Sequence, residues 1–160
     1  MLVAKSFENE VELFKKLSMS KNLSGLIISR TLRNDERFKI LTDLKIPFVA
    51  HGRSINCSNS SWLDVDNESA FFDMTKHFVS LGHRKIAHIC GPNVYNFSIQ
   101  RIEGWKKALL ESGIQIKSEF LQVADLSFDG GKIAMDKLLK LKDLPTAVSY
   151  THLRAHETTL

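Results

Sequence analysis

Cysteine and proline are scarce in this chain of 160 residues, which has two of the first and three of the second. Cys57 and Cys90 share no CxxC or other paired ligand spacing, so neither a disulfide framework nor a cysteine-rich metal centre is on offer. Cys90 lies in an apolar run and reads as a small core residue. Long hydrophobic runs are missing too. Met1–Lys5 is too short an apolar start for a secretory signal, and nothing approaches the roughly 20 apolar residues of a membrane helix. The expectation is a cytoplasmic protein with no membrane partner. Catalytic signatures are also absent: no Gly-x-Ser-x-Gly elbow, no Walker-type loop and no His-Glu-x-x-His. His77, His83 and His88 fall on a helix, a turn and a strand with no carboxylate or cysteine at ligand spacing, so no metal and no cofactor is expected. No reaction is assigned; the chain reads as a binding protein, not an enzyme.

What is present is a globular composition, 43% hydrophobic and 25% charged, with a net charge of +4 spread along the chain. A mild, dispersed excess of this kind reads as a solvated basic surface before it reads as a nucleic-acid footprint. The chain alternates short apolar runs with amphipathic ones. Leu2–Ala4 reads as the end of a strand, and Ser6 as the cap of a helix carrying Phe7, Val11, Phe14 and Leu17. Gly25–Ser29 is a strand, Asn34 or Asp35 opens a helix with Phe38, Leu41 and Leu44 on one face, and Ile46–Ala50 is the next strand. After a polar loop, Trp62–Val65 is extended, and Asp66 or Asn67 caps a helix carrying Phe71, Met74, Phe78 and Leu81. Strand Ile86–Cys90, a helix from about Ser98 to Glu111, strand Phe120–Val123, helix Gly130–Leu141 and a strand opening at Thr146–Val148 complete the series. Alternation of this kind predicts parallel α/β sheets with helices on both faces, and ligands at the carboxyl ends of the strands.

The stretch Leu81-Gly82-His83-Arg84-Lys85-Ile86-Ala87-His88-Ile89-Cys90-Gly91-Pro92 is the centre of the pattern: a helix end, a tight turn and a buried strand. Around it stand Ile46-Pro47-Phe48-Val49 with Gly52-Arg53, then Leu63-Asp64-Val65-Asp66-Asn67, Arg101-Ile102-Glu103-Gly104-Trp105 and Glu111-Ser112-Gly113-Ile114. In this order and at these spacings the chain resembles the LacI-type bacterial transcription regulators, a branch of the periplasmic-binding-protein-like fold, from about Leu2 to Val148. The resemblance implies the type I two-lobed fold of parallel sheets flanked by helices, truncated at both ends. It implies a partial first lobe over residues 1–65 and a partial second lobe over 66–148. Residues 149–160, Ser149 to Leu160, fit no family pattern and read as a non-native or disordered tail. The family's DNA-binding headpiece is not visible in the chain.

The resemblance also implies a small sugar-like or nucleobase-like effector, a homodimer, and operator binding only through the headpiece. Arg101 matches the Arg of the family's Arg-x-x-Gly motif, whose planar fork of donors suits paired hydroxyls or a carboxylate. Tyr95 and Phe97 stand in the loop before it, where an aromatic face can carry a sugar ring or base. Leu126 takes a place where some relatives put an aromatic, and His51 and Arg53 stand at a strand end of the first lobe. His83 and Arg84 match a Gly-His-Arg turn with a structural role. A sugar-binding protein of a transport system, with the same fold, is the alternative.

Overall fold

In a computed structural model, residues 7–19, 23–57 and 60–151 are described, with side chains from residue 10 onward. The expected strand at Leu2–Ala4, the Ser6 cap and the stretch after Thr151 lie outside the described residues. The chain divides between Val65 and Asp66 into two units, each with its own sheet and its own core.

In the first unit, helix α1 (Phe7–Met19) precedes β1 (Leu26–Ile28), α2 (Arg37–Asp43), β2 (Phe48–His51) and β3 (Ser61–Leu63). The strands pair in parallel in the order β1-β2-β3, with Ile27 opposite Val49 and Ala50 opposite Trp62. One face of this sheet meets Phe14 of α1 and Phe38 and Leu41 of α2, and with Ile28, Ile46 and Ala50 these form the core. Phe38 and Phe48 meet edge to face at 5.5 Å, the arrangement that ring quadrupoles favour. Helix α2 starts at Arg37, later than Asn34 or Asp35. The Asp35 carboxylate is buried and accepts from the Leu32 and Arg37 N–H groups (2.9 and 3.1 Å), which holds the preceding residues in a turn.

In the second unit α3 (Asn67–Ser80), β4 (Ile86–Cys90), α4 (Asn96–Glu111), β5 (Leu121–Val123), α5 (Phe128–Leu139) and β6 (Ala147–Tyr150) follow in turn. The sheet is parallel in the order β5-β4-β6. Every residue of the central strand β4 is buried, as expected of a strand covered on both faces. Ile86, Ala87 and Ile89 join Trp105 and Leu109 of α4, Phe120, Ala124, and Ala134 and Leu138 of α5 in one core.

Local chemistry sets the ends of these helices. Asp66 caps α3 by accepting from Ser69 N (3.0 Å), and Gly82 closes it at φ 92°. His83 Nδ1 meets Thr146 Oγ1 at 3.0 Å, and Arg84 donates to the Val79 carbonyl (3.0 Å), so the Gly-His-Arg turn ties the end of α3 to the start of β6. Leu81 is 62% exposed, because it lies in the closing turn past the buried face of α3. Helix α4 begins at Asn96, two residues before the expected Ser98, after an extended Tyr95. Helix α5 begins at Phe128, because Ser127 caps it by accepting from Gly130 N (2.9 Å).

Strand β6 continues past Val148. Ser149 is buried and paired with His88, and Tyr150 is paired with Ile89. Ladder pairing uses backbone groups, so side chains unlike the family pattern do not end it.

Candidate functional site

The carboxyl ends of β4, β5 and β6 bring together the start of α4, the loop before α5 and Thr151. The sequence-predicted residues of the second unit stand here. Tyr95 and Phe97 are stacked, with ring centroids 5.3 Å apart and planes 12° from parallel. The Arg101 guanidinium lies 5.0 Å from the centre of the Phe97 ring and 5.2 Å from that of Phe71 on α3. Tyr95, Phe97, Arg101 and Phe71 therefore form a continuous stack. A cation between two aromatic faces is held by both quadrupoles. Its remaining freedom is reduced by Nε donating to Asn67 Oδ1 (2.8 Å) and Nη1 to the Thr151 carbonyl (3.2 Å). Because α4 starts two residues early, Arg101 stands in its second turn and not its first.

Two of these partners were missed from sequence. Asn67 reads as a cap or helix start, yet Asp66 is the cap, and Asn67 is 3% exposed with its oxygen on Arg101. Phe71 reads only as a core-facing position. The glycine of the Arg-x-x-Gly motif explains both. A Cβ on Gly104 would lie 2.1 Å from the Glu68 carbonyl oxygen, so α3 and α4 touch backbone to backbone there. That close crossing places the start of α3 beside the arginine one turn earlier on α4.

Leu126 sits in the loop between β5 and α5 at φ 69°, a left-handed conformation that branched or bulky side chains rarely take. The turn is fixed by Asp125, whose Oδ1 accepts from Ser127 N and Oγ (2.9 and 2.5 Å). A Cβ on Gly91 would meet the Leu126 and Ser98 side chains, each at 2.7 Å, so Leu126 and Ser98 pack directly over the end of β4. Leu126 also lines an apolar groove of about 470 Å³ beside α5, with Ile89, Met135, Val148 and Tyr150. Apart from Leu126, none of the predicted site residues lines that groove, but Thr151, whose carbonyl accepts from Arg101, does, so the groove adjoins the Arg101 stack.

Below the stack lies His88, fully buried between Phe71 (centroids 5.1 Å) and Trp105 (6.0 Å). Its Nδ1 faces Ser149 Oγ (3.0 Å) and the Ser149 carbonyl (3.3 Å). A carbonyl only accepts, so Nδ1 carries the hydrogen. Burial pushes the imidazole down to about 4, and the nearby Arg101 charge pushes the same way.

In the first unit, His51 is exposed at the end of β2. Arg53 is engaged: its Nε donates to Asp64 Oδ2 (3.1 Å), and its guanidinium lies over Trp62 at 5.4 Å. Among the described residues no group of three His, Cys, Asp or Glu gathers as a metal site, and no helix is long and apolar enough to cross a membrane.

The family of periplasmic binding proteins and sugar-binding domains of the LacI family matches residues 4–153. The transcriptional regulator AglR of Rhizobium meliloti is 37% identical over 142 residues, covering 88% of this chain and 40% of the relative. RafR of Escherichia coli, also named as a transcriptional regulator, is 30% identical over 148 residues, covering 92% of this chain and 44% of the relative. Among solved structures, a LacI transcriptional regulator from Bacillus cereus subsp. cytotoxis superposes with a TM-score of 0.88 at 26% identity, over 95% of this chain and 54% of that one. The regulator CelR in complex with cellobiose superposes with a TM-score of 0.76 at 27% identity, over 84% of this chain and 42% of that one. The chain thus spans less than half the length of the two sequence relatives it matches. Its parallel sheets, its Gly-His-Arg turn and its Arg-x-x-Gly helix belong to the LacI family, as part of that family's effector-binding region.

Proposed function

We propose that this chain is the effector-binding part of a transcription regulator, and that its second unit holds a small sugar-like ligand at the Arg101 stack. The observation that carries the reading is the arginine itself. It is fixed by Asn67 and Thr151 and sandwiched by Phe71 and Phe97, so its planar fork is ordered before any ligand arrives. A pre-ordered donor loses little freedom on binding, which favours affinity. Phe97, covered by Tyr95 and Arg101, holds the two in line, and the outer face of Tyr95 at the end of the stack supplies an apolar surface for the C–H side of a sugar ring. Cellobiose in the CelR complex supports a carbohydrate over a nucleobase. Leu126 contributes apolar contact at the rim of the same strand ends, and His51 is the first unit's exposed polar candidate. Arg53 is the weaker candidate, because Asp64 and Trp62 already hold it.

In this reading the protein is not a catalyst. The ligand acts by binding one conformation better than another, and a homodimer transmits the shift to operator DNA through a headpiece outside these 160 residues. The regulator is preferred to a transport-class binding protein because AglR and RafR, the relatives at 37% and 30% identity, are both named as regulators.

The test is calorimetric titration of cellobiose and related sugars into the wild-type protein and into Arg101→Ala and Arg101→Lys. Loss of a charged hydrogen bond costs about 1.5–3 kcal/mol, so Arg101→Ala is expected to weaken binding roughly tenfold to hundredfold. Lysine restores the charge but not the planar fork, and is expected to recover only part of the loss. Equal affinities in all three proteins would remove Arg101 from the site.

A further inference from the structure

At the amino ends of β4, β5 and β6 the entering connections, residues 81–85, 111–120 and 140–146, are bound into one surface. Asp143, before β6, accepts from Lys85 Nζ before β4 and from Lys117 Nζ before β5. The Lys85 carbonyl accepts from Thr146 N and Ala147 N (2.7 and 3.3 Å), and His83 Nδ1 meets Thr146 Oγ1. Arg84 donates from Nη1 to the carbonyls of Val79 and His83 (3.0 and 3.1 Å). Lys76 of α3 donates to Ser112 Oγ (3.3 Å) at the end of α4. These cations are held in place, yet each remains exposed or half-exposed.

Lys137, Lys140 and Lys142 add charge along the end of α5 and the turn beyond it, while the acids of the three connections are Glu111, Glu119 and Asp143. Asp143 is one carboxylate between two ammonium groups, so its cluster keeps a net positive charge. Cations at helix C-termini often do no more than oppose the helix dipole, and Arg84, Lys137 and Lys140 stand at such ends. Lys85, Lys117 and Lys142 stand outside the helices, so helix dipoles do not account for them. Stability does not account for them either, because exposed ion pairs add little to it.

Apolar side chains are left in water among these cations. Leu81 past α3, Leu110 in the last turn of α4, Leu139 at the end of α5 and Leu144 beside Asp143 are all exposed. Phe120, the one Phe, Tyr or Trp of these connections, is buried, so no such ring is offered on which a base could stack. Leucine gives a phosphate nothing to bond to. Fixed cations interleaved with leucines match a polypeptide that carries both carboxylates and apolar side chains.

We infer that this edge of the second unit is a docking surface for an acidic amphipathic helix of another protein, with its carboxylates on Arg84, Lys85 and Lys117 and its apolar side chains on Leu81 and Leu144. The surface lies at the other end of β4 from the Arg101 stack and does not depend on the ligand proposed there.

The probe is a fluorescent helical peptide with glutamates on one face and leucines on the other, titrated with the protein and read by anisotropy. Saturable binding that weakens as salt is raised is expected. Amide NMR on the 15N-labelled protein is expected to place it, with shifts at Leu81, Arg84, Lys85, Lys117 and Leu144 and none around Arg101. Lys85→Gln combined with Lys117→Gln is expected to weaken binding about tenfold. The melting temperature is expected to hold, because both pairs with Asp143 are exposed. Lys16→Gln combined with Lys39→Gln removes the same charge from surface pairs of the first unit and is expected to leave affinity unchanged. Leu144→Ser, which alters no charge, is expected to weaken binding as well, and so is serine in place of leucine in the peptide. No saturable binding, equal losses in the two double variants, or a serine peptide that binds as well would each overturn the surface. So would shifts confined to other parts of the molecule. Tighter binding to a DNA duplex or to phosphatidylglycerol vesicles than to the peptide would overturn the polypeptide partner.

Discussion

His88 is a titratable side chain in a place built for an apolar one. Phe71 and Trp105 pack against its ring, Ser149 takes its Nδ1 hydrogen, and the charge nearest it is the cation Arg101. Burial is the larger cause of its low pKa and the Arg101 charge reinforces it; both disfavour imidazolium, giving about 4 in the folded chain against an ordinary 6.5. Below pH 6.5 the unfolded chain takes up a proton that the folded chain refuses. Stability is therefore fully present above pH 6.5 and falls progressively until about pH 4, by about 3 kcal/mol in all. Asp143, whose carboxyl is held down to about 2 by hydrogen bonds from Lys117 and then Lys85, adds its own loss only below the ordinary carboxylate range. The two windows are separable. Urea titrations from pH 7.5 to 4 are expected to show the midpoint of the second unit falling in the wild type and nearly flat in His88→Phe, which keeps an aromatic ring against Phe71 and Trp105. A wild-type midpoint that does not move across that range would show that His88 is not the acid-sensitive group.

At the scale of elements, the α3–α4 crossing decides whether a site exists. Because a Cβ on Gly104 would overlap the backbone of Glu68 and not a movable side chain, Gly104→Ala forces the two helices apart. Overpacking of this kind costs about 1–3 kcal/mol, which lowers the melting temperature of a unit this size by roughly 5–20 °C. The same separation draws Arg101 Nε away from Asn67, so ligand affinity is expected to fall even at temperatures where the variant is folded. Thermal melts with sugar titration at 15 °C check both; an unchanged melting temperature would mean the helices do not meet there.

The crossing also explains what could be read in advance. Strand β4 matches its reading residue for residue, since its apolar run is bounded by the Gly82 turn and by Gly91-Pro92. Tyr95, Phe97 and Arg101 are legible as a set because they share one helix start. Asn67 is 34 residues from Arg101 in sequence, and only the depth of the helix crossing brings them together. Asp35 misleads for a related reason: an acid before an apolar-periodic run looks like a cap, and only the fold reveals the buried guanidinium it serves.

At the scale of the whole molecule, the two units differ in how well their sheets are covered. In the second, α3 and α4 on one face and α5 on the other enclose β4. In the first, one face of the sheet carries Ile27 at 82% exposure, Leu63 at 71% and Val49 at 43%. Apolar area left in water contributes nothing to stability, and parallel strands are ordinarily covered on both faces. The first unit is therefore expected to unfold before the second, giving two transitions. The two tryptophans report on them separately: Trp62 is half exposed on β3, while Trp105 is fully buried in the core of the second unit. In Trp62→Phe the emission shift of Trp105 is expected only in the later transition, whereas calorimetry still shows both. Arg37→Ala sharpens the assignment. It leaves Asp35 buried without its guanidinium, and breaking a buried pair this way costs about 3–5 kcal/mol. The early transition is then expected to move down sharply or vanish, with the Trp105 transition unmoved. Coincident loss of both signals in wild type, or an equal shift of both transitions by Arg37→Ala, would show that the two cores fold as one cooperative body.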